Sequence, residues 1–220
     1  GHSALKTALN LTVWRKCLII YVSNKSFKGG VPCFSVGGIM KEISMHILDI
    51  VMNSVRAEAT LIEINIEDSK KLNRLKISVK DNGMGMSDEM VKKVEDPFFT
   101  TRTTRKVGLG IPMLKDNCER CNGSFKIQSR EREGTLIECD FERNNIDRAP
   151  LGNMGDTIMA IIGSLESCEL LYSHVTDRGT FVLNTSEVRK MLDGSSIRDN
   201  GVLLWIREYV NENIQNISTI

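Results

Sequence analysis

From residue 40 onward the hydrophobic and polar positions follow two clear periods. Over residues 41–58 apolar side chains recur at helical spacing, with Ile47, Val51, Ser54 and Val55 on one side, which predicts an amphipathic helix. Ile62, Ile64 and Ile66 then alternate with Glu63, Asn65 and Glu67, the pattern of a half-buried strand. The stretch "DSKKLN" reads as a turn. Leu75, Ile77 and Val79 alternate again and run into Asp81. Ser87 is placed to cap a short helix, with Asp88 and Glu89 suiting its first turn. "PFFTTRTTRK" reads as a polar loop after two aromatics. A further helix is predicted from about Leu109, with Pro112 in its first turn and Gly123 as the C′ residue that ends it. "SFKIQSR" and "TLIECDF", separated by a turn at Gly134, read as two strands.

The order is therefore α-β-β-α-α-β-β, which predicts an α+β fold: a two-layer α/β sandwich with helices on one face of a mainly antiparallel sheet. Residues 145–220 follow as a C-terminal accessory segment. Its pattern predicts a helix over Asp156–Ser164, a hairpin through "TDRG", a short helix from Ser186 and a last helix over Val202–Ile214. The whole is a small αββαα extension. Leu204, Trp205, Tyr209 and Val210 on the last helix form either a core stripe or a docking face, and the core is the expected use.

Residues 1–39 differ from the rest. They lack a helical period and carry glycines at 29, 30, 37 and 38. Gly1-His2-Ser3 reads as a tag remnant. Two readings of this leader stand: translated upstream sequence, with Met40 as the natural start, or a hairpin added to a sheet edge. The organisation expected is thus a leader over 1–39, a main domain over 40–144 and the accessory segment over 145–220.

Composition narrows the class. With 41% hydrophobic and 26% charged residues and a net charge of +1, the chain reads as globular. That charge offers no electrostatic case for nucleic acid or a membrane surface. The apolar run near Cys17 to Val22 is too short to span a bilayer. The six cysteines are scattered, which fits reduced thiols in a cytoplasmic protein. Cys118 and Cys121 form a lone C-x-x-C on one helical face, better read as helix packing than as a metal site.

The candidate chemistry begins at "DNGMGM". Gly83 and Gly85 permit a tight turn and close approach of a ligand. Asp81, at a strand end, can point its carboxylate into a cleft, where it would accept hydrogen bonds from an exocyclic amine such as adenine's. Taken alone, an Asp-Asn-Gly stretch is more often just a turn. Asp49, Asn53 and Arg56 share a face of the first helix, opposite Ile47 and Val51. Asn53 offers a neutral oxygen to a hard cation such as Mg²⁺, Arg56 can meet a phosphate, and Asp49 could orient a water. Without other signals this face would read as merely solvated. In "KVGLGIPM", Gly108 and Gly110 open a helix N-terminus, where bare N–H groups favour phosphate, and the basic loop with Arg102, Arg105 and Lys106 precedes it.

The order of these motifs resembles the GHKL ATP-binding superfamily, with the Bergerat fold of histidine-kinase catalytic domains. "HILDIVMNSVRA" resembles its asparagine box, "DNGMGM" its first glycine box and "DPFFTTR" its phenylalanine box. "GLGIPMLKDNCERCNGSFKIQSREREGTLIECDF" resembles the second glycine box through the final strands. The likeness covers about residues 41–142, and four boxes in order are specific where each alone is modest. It implies ATP and Mg²⁺ as cofactors. Asn53 would bind Mg²⁺ and Asp81 the adenine amine. Gly83 and Gly85 would let the loop wrap the base, and Thr135 would join the water network around Asp81. Gly108, Leu109 and Gly110 would hold phosphates, with Thr101 and Arg102 from the loop. Arg56 falls where kinases often carry a phosphate-facing lysine. Asp49 falls where hydrolysing members carry a glutamate base, one methylene longer.

A histidine kinase also needs a phosphoacceptor histidine on a separate helix. His46 lies on the asparagine helix itself and is expected to pack or line the rim; His174 is expected to be structural. The expected function is therefore a stand-alone Mg-dependent ATP-binding module that hydrolyses ATP or passes its γ-phosphate to a separate protein partner, engaged through the C-terminal segment or the lid. The alternative is a non-catalytic nucleotide sensor. A mismatch-repair-type DNA-repair ATPase is a third reading, which the short lid and near-neutral charge argue against. Neither nucleic acid nor a membrane is expected as a partner.

Overall fold

The computed structural model describes residues 42–95 and 110–218. The leader, the Thr- and Arg-rich loop, and the site positions Thr101, Arg102, Gly108 and Leu109 lie outside the described residues.

Helix α1 (Ile43–Arg56) buries Ile47, Val51 and Ser54 of the expected stripe, together with Ile43 and Ile50, and leaves Val55 half-buried. Its start is secured from elsewhere. The N–H groups of Ile43 and Ser44 donate to the carbonyls of Pro150 (2.9 Å) and Leu151 (2.8 Å), meeting two donors that no helical carbonyl can reach. Strands β1 (Leu61–Ser69) and β2 (Arg74–Asp81) pair antiparallel, with Ile64 opposite Val79 and Ile66 opposite Ile77. Their period of two sends these side chains to the helical layer and leaves Glu63 and Lys80, paired at 3.5 Å, on the outer face.

Ser87 caps α2 (Asp88–Val94), its hydroxyl accepting from Met90 N. Helix α3 (Gly110–Arg120) packs over β3 (Ser124–Arg130) and β4 (Gly134–Glu142) through Leu114 and Cys118. The expectation that Gly123 supplies the left-handed residue ending this helix is corrected. Asn122 takes that conformation, at φ 50°. Gly123 is needed for another reason: a Cβ there would overlap the carbonyl of Asp140 on β4. Cys118 and Cys121 are fully buried, and a hydrogen bond to Cys118, then burial, pushes the Cys139 thiol well up. These cysteines pack the helix onto the sheet.

The C-terminal residues form α4 (Met154–Ser164), β5 (Glu169–Thr176), β6 (Gly179–Asn184), α5 (Thr185–Met191) and α6 (Asn200–Ser218). The αββαα order is the expected one, with longer helices. Asn153 caps α4 through Asp156 N at 3.0 Å, so the helix begins at Met154, two residues before the expected Asp156. β5 and β6 form the hairpin expected at "TDRG", with Thr176 opposite Gly179, and it extends the main sheet. β5 lies parallel to β1, from Leu61 opposite Glu169 to Asp68 opposite Thr176, and the six-stranded sheet runs β3-β4-β2-β1-β5-β6. α4 packs on α1 and α6, so a single hydrophobic core spans both parts. On α6 the buried stripe is Val202, Leu203, Ile206 and Val210. Leu204, Trp205 and Tyr209 are half-buried against it, with Tyr209 stacked on Trp205 at 5.0 Å and edge-on to Phe181 at 5.4 Å. The aromatic positions therefore serve the core. His174 is buried on β5, 2.8 Å from the Tyr172 hydroxyl, as a structural histidine would be. Among the described residues no helix is long and apolar enough to cross a membrane.

Candidate functional site

Asp81 is the last residue of β2, opposite Ile62 on one side and Thr135 on the other. Only 7% of its surface is exposed, so its oxygens need donors. Oδ2 accepts from the Ser54 hydroxyl at 2.6 Å; Oδ1 accepts from Gly83 N at 2.9 Å and Thr135 N at 3.3 Å. Ser54 is 3% exposed and lies beside Asn53 on α1. The first helix and the strand end are thus joined at the carboxylate.

The glycine turn is stapled rather than loose. Asn82 Oδ1 accepts from Thr60 N and Leu61 N, both at 2.9 Å, and its amide donates to the Thr60 hydroxyl at 2.8 Å. Gly83 runs against Ala57, where an added Cβ would sit 2.6 Å from the carbonyl oxygen. Gly85 adopts φ +64°, and a Cβ there would overlap Arg130 O. Only glycine meets both demands. Ser129, on β3, receives Met86 N at 2.9 Å and lies 2.9 Å from the Thr135 hydroxyl, so it ties the turn to the polar end of β4.

The other wall is α1. Asp49, Asn53 and Arg56 share its less buried face, as the spacing requires. Arg56 Nη1 donates to Asn53 Oδ1 at 2.8 Å, so the amide oxygen assigned to a cation here faces a guanidinium. Gly110, the first residue of α3, lies against Asp49: a Cβ on it would overlap Asp49 Oδ2. His46, one turn earlier and buried, stands with Nδ1 3.2 Å from Gly110 O. Burial is the main influence on this imidazole and pushes its pKa down.

The structure therefore gathers Asp49, Asn53, Arg56, Asp81, Gly83, Gly85, Gly110 and Thr135 around α1 and the adjoining sheet end. Sequence reasoning missed Ser54, Asn82 and Ser129 as polar partners. A serine inside an apolar helical stripe was the available signal for Ser54: a buried hydroxyl needs a bond. Chemically, the arrangement offers a buried acceptor at one end and a carboxylate, an amide and a helix N-terminus at the other.

Residues 40–145 match the family model described as "Histidine kinase-, DNA gyrase B-, and HSP90-like ATPase". The chain is 28% identical over 137 residues to sporulation kinase C of Bacillus subtilis, a match covering 62% of this chain and 32% of that protein. It is 31% identical over 112 residues to a putative sensor protein of Shewanella frigidimarina, covering 50% of this chain and 17% of that one. The chain thus spans a third or less of the length of these relatives. Among solved structures, the catalytic domain of histidine kinase ThkA is 27% identical with a TM-score of 0.37, over 47% of this chain and 68% of that one.

Proposed function

Because residues 40–145 match the histidine kinase-, DNA gyrase B- and HSP90-like ATPase family model, we propose that the chain binds Mg-ATP beside α1 and hydrolyses it or passes its γ-phosphate to a separate protein. One observation carries the reading. A buried carboxylate, Asp81, is held by Ser54 of the same helix that bears Asn53 and Asp49, and α3 opens against that helix at Gly110. An adenine amine would donate to the acceptor capacity left on Asp81, with Gly83 and Gly85 letting the backbone close on the base and Thr135 completing the polar rim. Phosphates would meet Gly110 and, with it, Gly108 and Leu109, where helix N–H groups and dipole favour anions. Arg56, Thr101 and Arg102 would add positive charge and donors.

A divalent cation fits this donor set. A single amide oxygen, on Asn53, suits a hard ion held mostly by phosphate and water, and Arg56 has somewhere to go once a phosphate is present. When bound, Mg²⁺ would neutralise phosphate charge. Asp49 would act on the attacking group as its base or by orienting it. The acceptor protein would engage the C-terminal segment or residues 97–106.

Asp49→Asn is expected to lower the turnover number about a hundredfold with little change in KM, the usual scale for loss of a general base. Steady-state ATPase assays of the full chain check this, and an unchanged rate removes Asp49 as the base. A second reading, nucleotide sensing without turnover, draws on the same residue. The short Asp49 side chain lies against the backbone of Gly110, as a residue that only orders α3 would. Saturable ATP binding with no turnover, alone or with any partner, would select it.

A further inference from the structure

His46 takes no part in the site as drawn above, yet it touches it. The ring is 3% exposed, and Nδ1 lies 3.2 Å from the carbonyl of Gly110. A carbonyl only accepts, so Nδ1 carries the proton. Desolvation disfavours the charged ring, which leaves the neutral Nδ1–H tautomer. Gly110 is held from two places on α1: His46 bonds its oxygen, and Asp49, three residues on, closes the space where a side chain would stand.

The apolar contacts of α3 cannot supply this constraint. Leu114 and Cys118 fix how deep the helix sits, but burial is not directional and tolerates sliding and rotation. A hydrogen bond to one named carbonyl at the first turn does not. We propose that His46 is the positioning residue for the phosphate half of the site. It registers the open end of α3 against Asp49 and Asn53 before any ligand arrives. First-turn N–H groups have no carbonyl of their own helix within reach, so their placement decides what a phosphate meets. The purine half has its own bonds, from Ser54, Gly83 and Thr135 to Asp81, and none involves His46.

The inference rests on the nucleotide reading, and that separation allows the two to be tested apart. Adenosine and Mg-ATP are titrated into the 220-residue wild-type chain and into His46→Leu, His46→Asn and His46→Gln, with NMR for the weaker ligand and calorimetry for the stronger. Asparagine places an amide N–H near the position of Nδ1; glutamine carries it one methylene further. His46→Leu should leave adenosine affinity within about twofold and weaken Mg-ATP about tenfold, the scale of one directional bond and the order it imposes. His46→Asn should restore most of that loss and His46→Gln little of it. The inference is overturned by unchanged Mg-ATP affinity in His46→Leu, by equal losses for adenosine and Mg-ATP, or by an asparagine variant no better than leucine. Should the leucine variant fail to fold, the asparagine and glutamine variants decide: tighter Mg-ATP binding by asparagine supports the role, and equal binding overturns it. A wild type that binds neither ligand overturns the nucleotide reading and this inference together. A wild type that binds both, with an indifferent His46→Leu, overturns this inference alone.

Discussion

Asp81→Asn is expected to weaken Mg-ATP about a hundredfold in equilibrium dialysis while leaving the fold intact. The carboxylate already serves three protein donors: Gly83 N and Thr135 N at one oxygen and the Ser54 hydroxyl at the other. An asparagine keeps one oxygen for the two backbone donors. Its amide can donate to Ser54, whose hydroxyl turns to accept. The internal bonds therefore survive, and the melting temperature should move by only a few degrees. A ligand amine, however, would meet an NH₂ group instead of an acceptor. Losing a charge-assisted bond of about 1.5–3 kcal/mol and leaving a donor unmet amounts to roughly two decades of affinity. Unaltered binding would show that the purine does not sit at Asp81.

The second large effect concerns the fold. A chain cut to residues 40–145 is expected not to fold cooperatively, although the family model ends there. The cut removes β5, whose ladder covers one edge of β1 from Leu61 to Asp68. It removes α4, which packs on α1, and the Pro150 and Leu151 carbonyls that satisfy the first N–H groups of α1. Re-exposing even three or four core side chains costs about 1.5–3 kcal/mol each. A typical domain has only about 5–15 kcal/mol to lose. Circular dichroism and urea titration check this; a sharp two-state transition in the shortened chain would show that the C-terminal residues are dispensable for folding.

The same two effects mark what the sequence could reveal. Strands β1 and β2 were legible because Ile62, Ile64, Ile66, Leu75, Ile77 and Val79 each alternate with polar neighbours, and all six are buried. α1 was legible from its helical stripe. These signals are local. The partner of β5 was not legible, because a hairpin pattern says which residues face inward and nothing about which strand lies alongside. Helix ends slipped for a similar reason. Asn153 and Asn122 do work at the ends of α4 and α3 that short sequence windows assign equally well to neighbours.

The site shows the same division. The glycines in "DNGMGM" stood out because close backbone approach leaves a trace in residue type, and Gly83 and Gly85 each abut another chain segment. The anchoring of the turn left no such trace: Asn82 fastens it to the start of β1. Side chains that act through distant backbone, such as Asn82, Ser129 and His46, carry no periodic signal. Their roles emerge only when strands and helices far apart in sequence are set side by side.

The most direct test of one adenine-specific pocket beside α1 is calorimetry of the full chain with Mg-ATP and Mg-GTP. Saturable one-to-one binding of ATP, with GTP weaker by about a hundredfold, is the expected result, because a guanine presents a carbonyl where Asp81 requires a donor. Equal binding of the two nucleotides, or no heat with either, would contradict it.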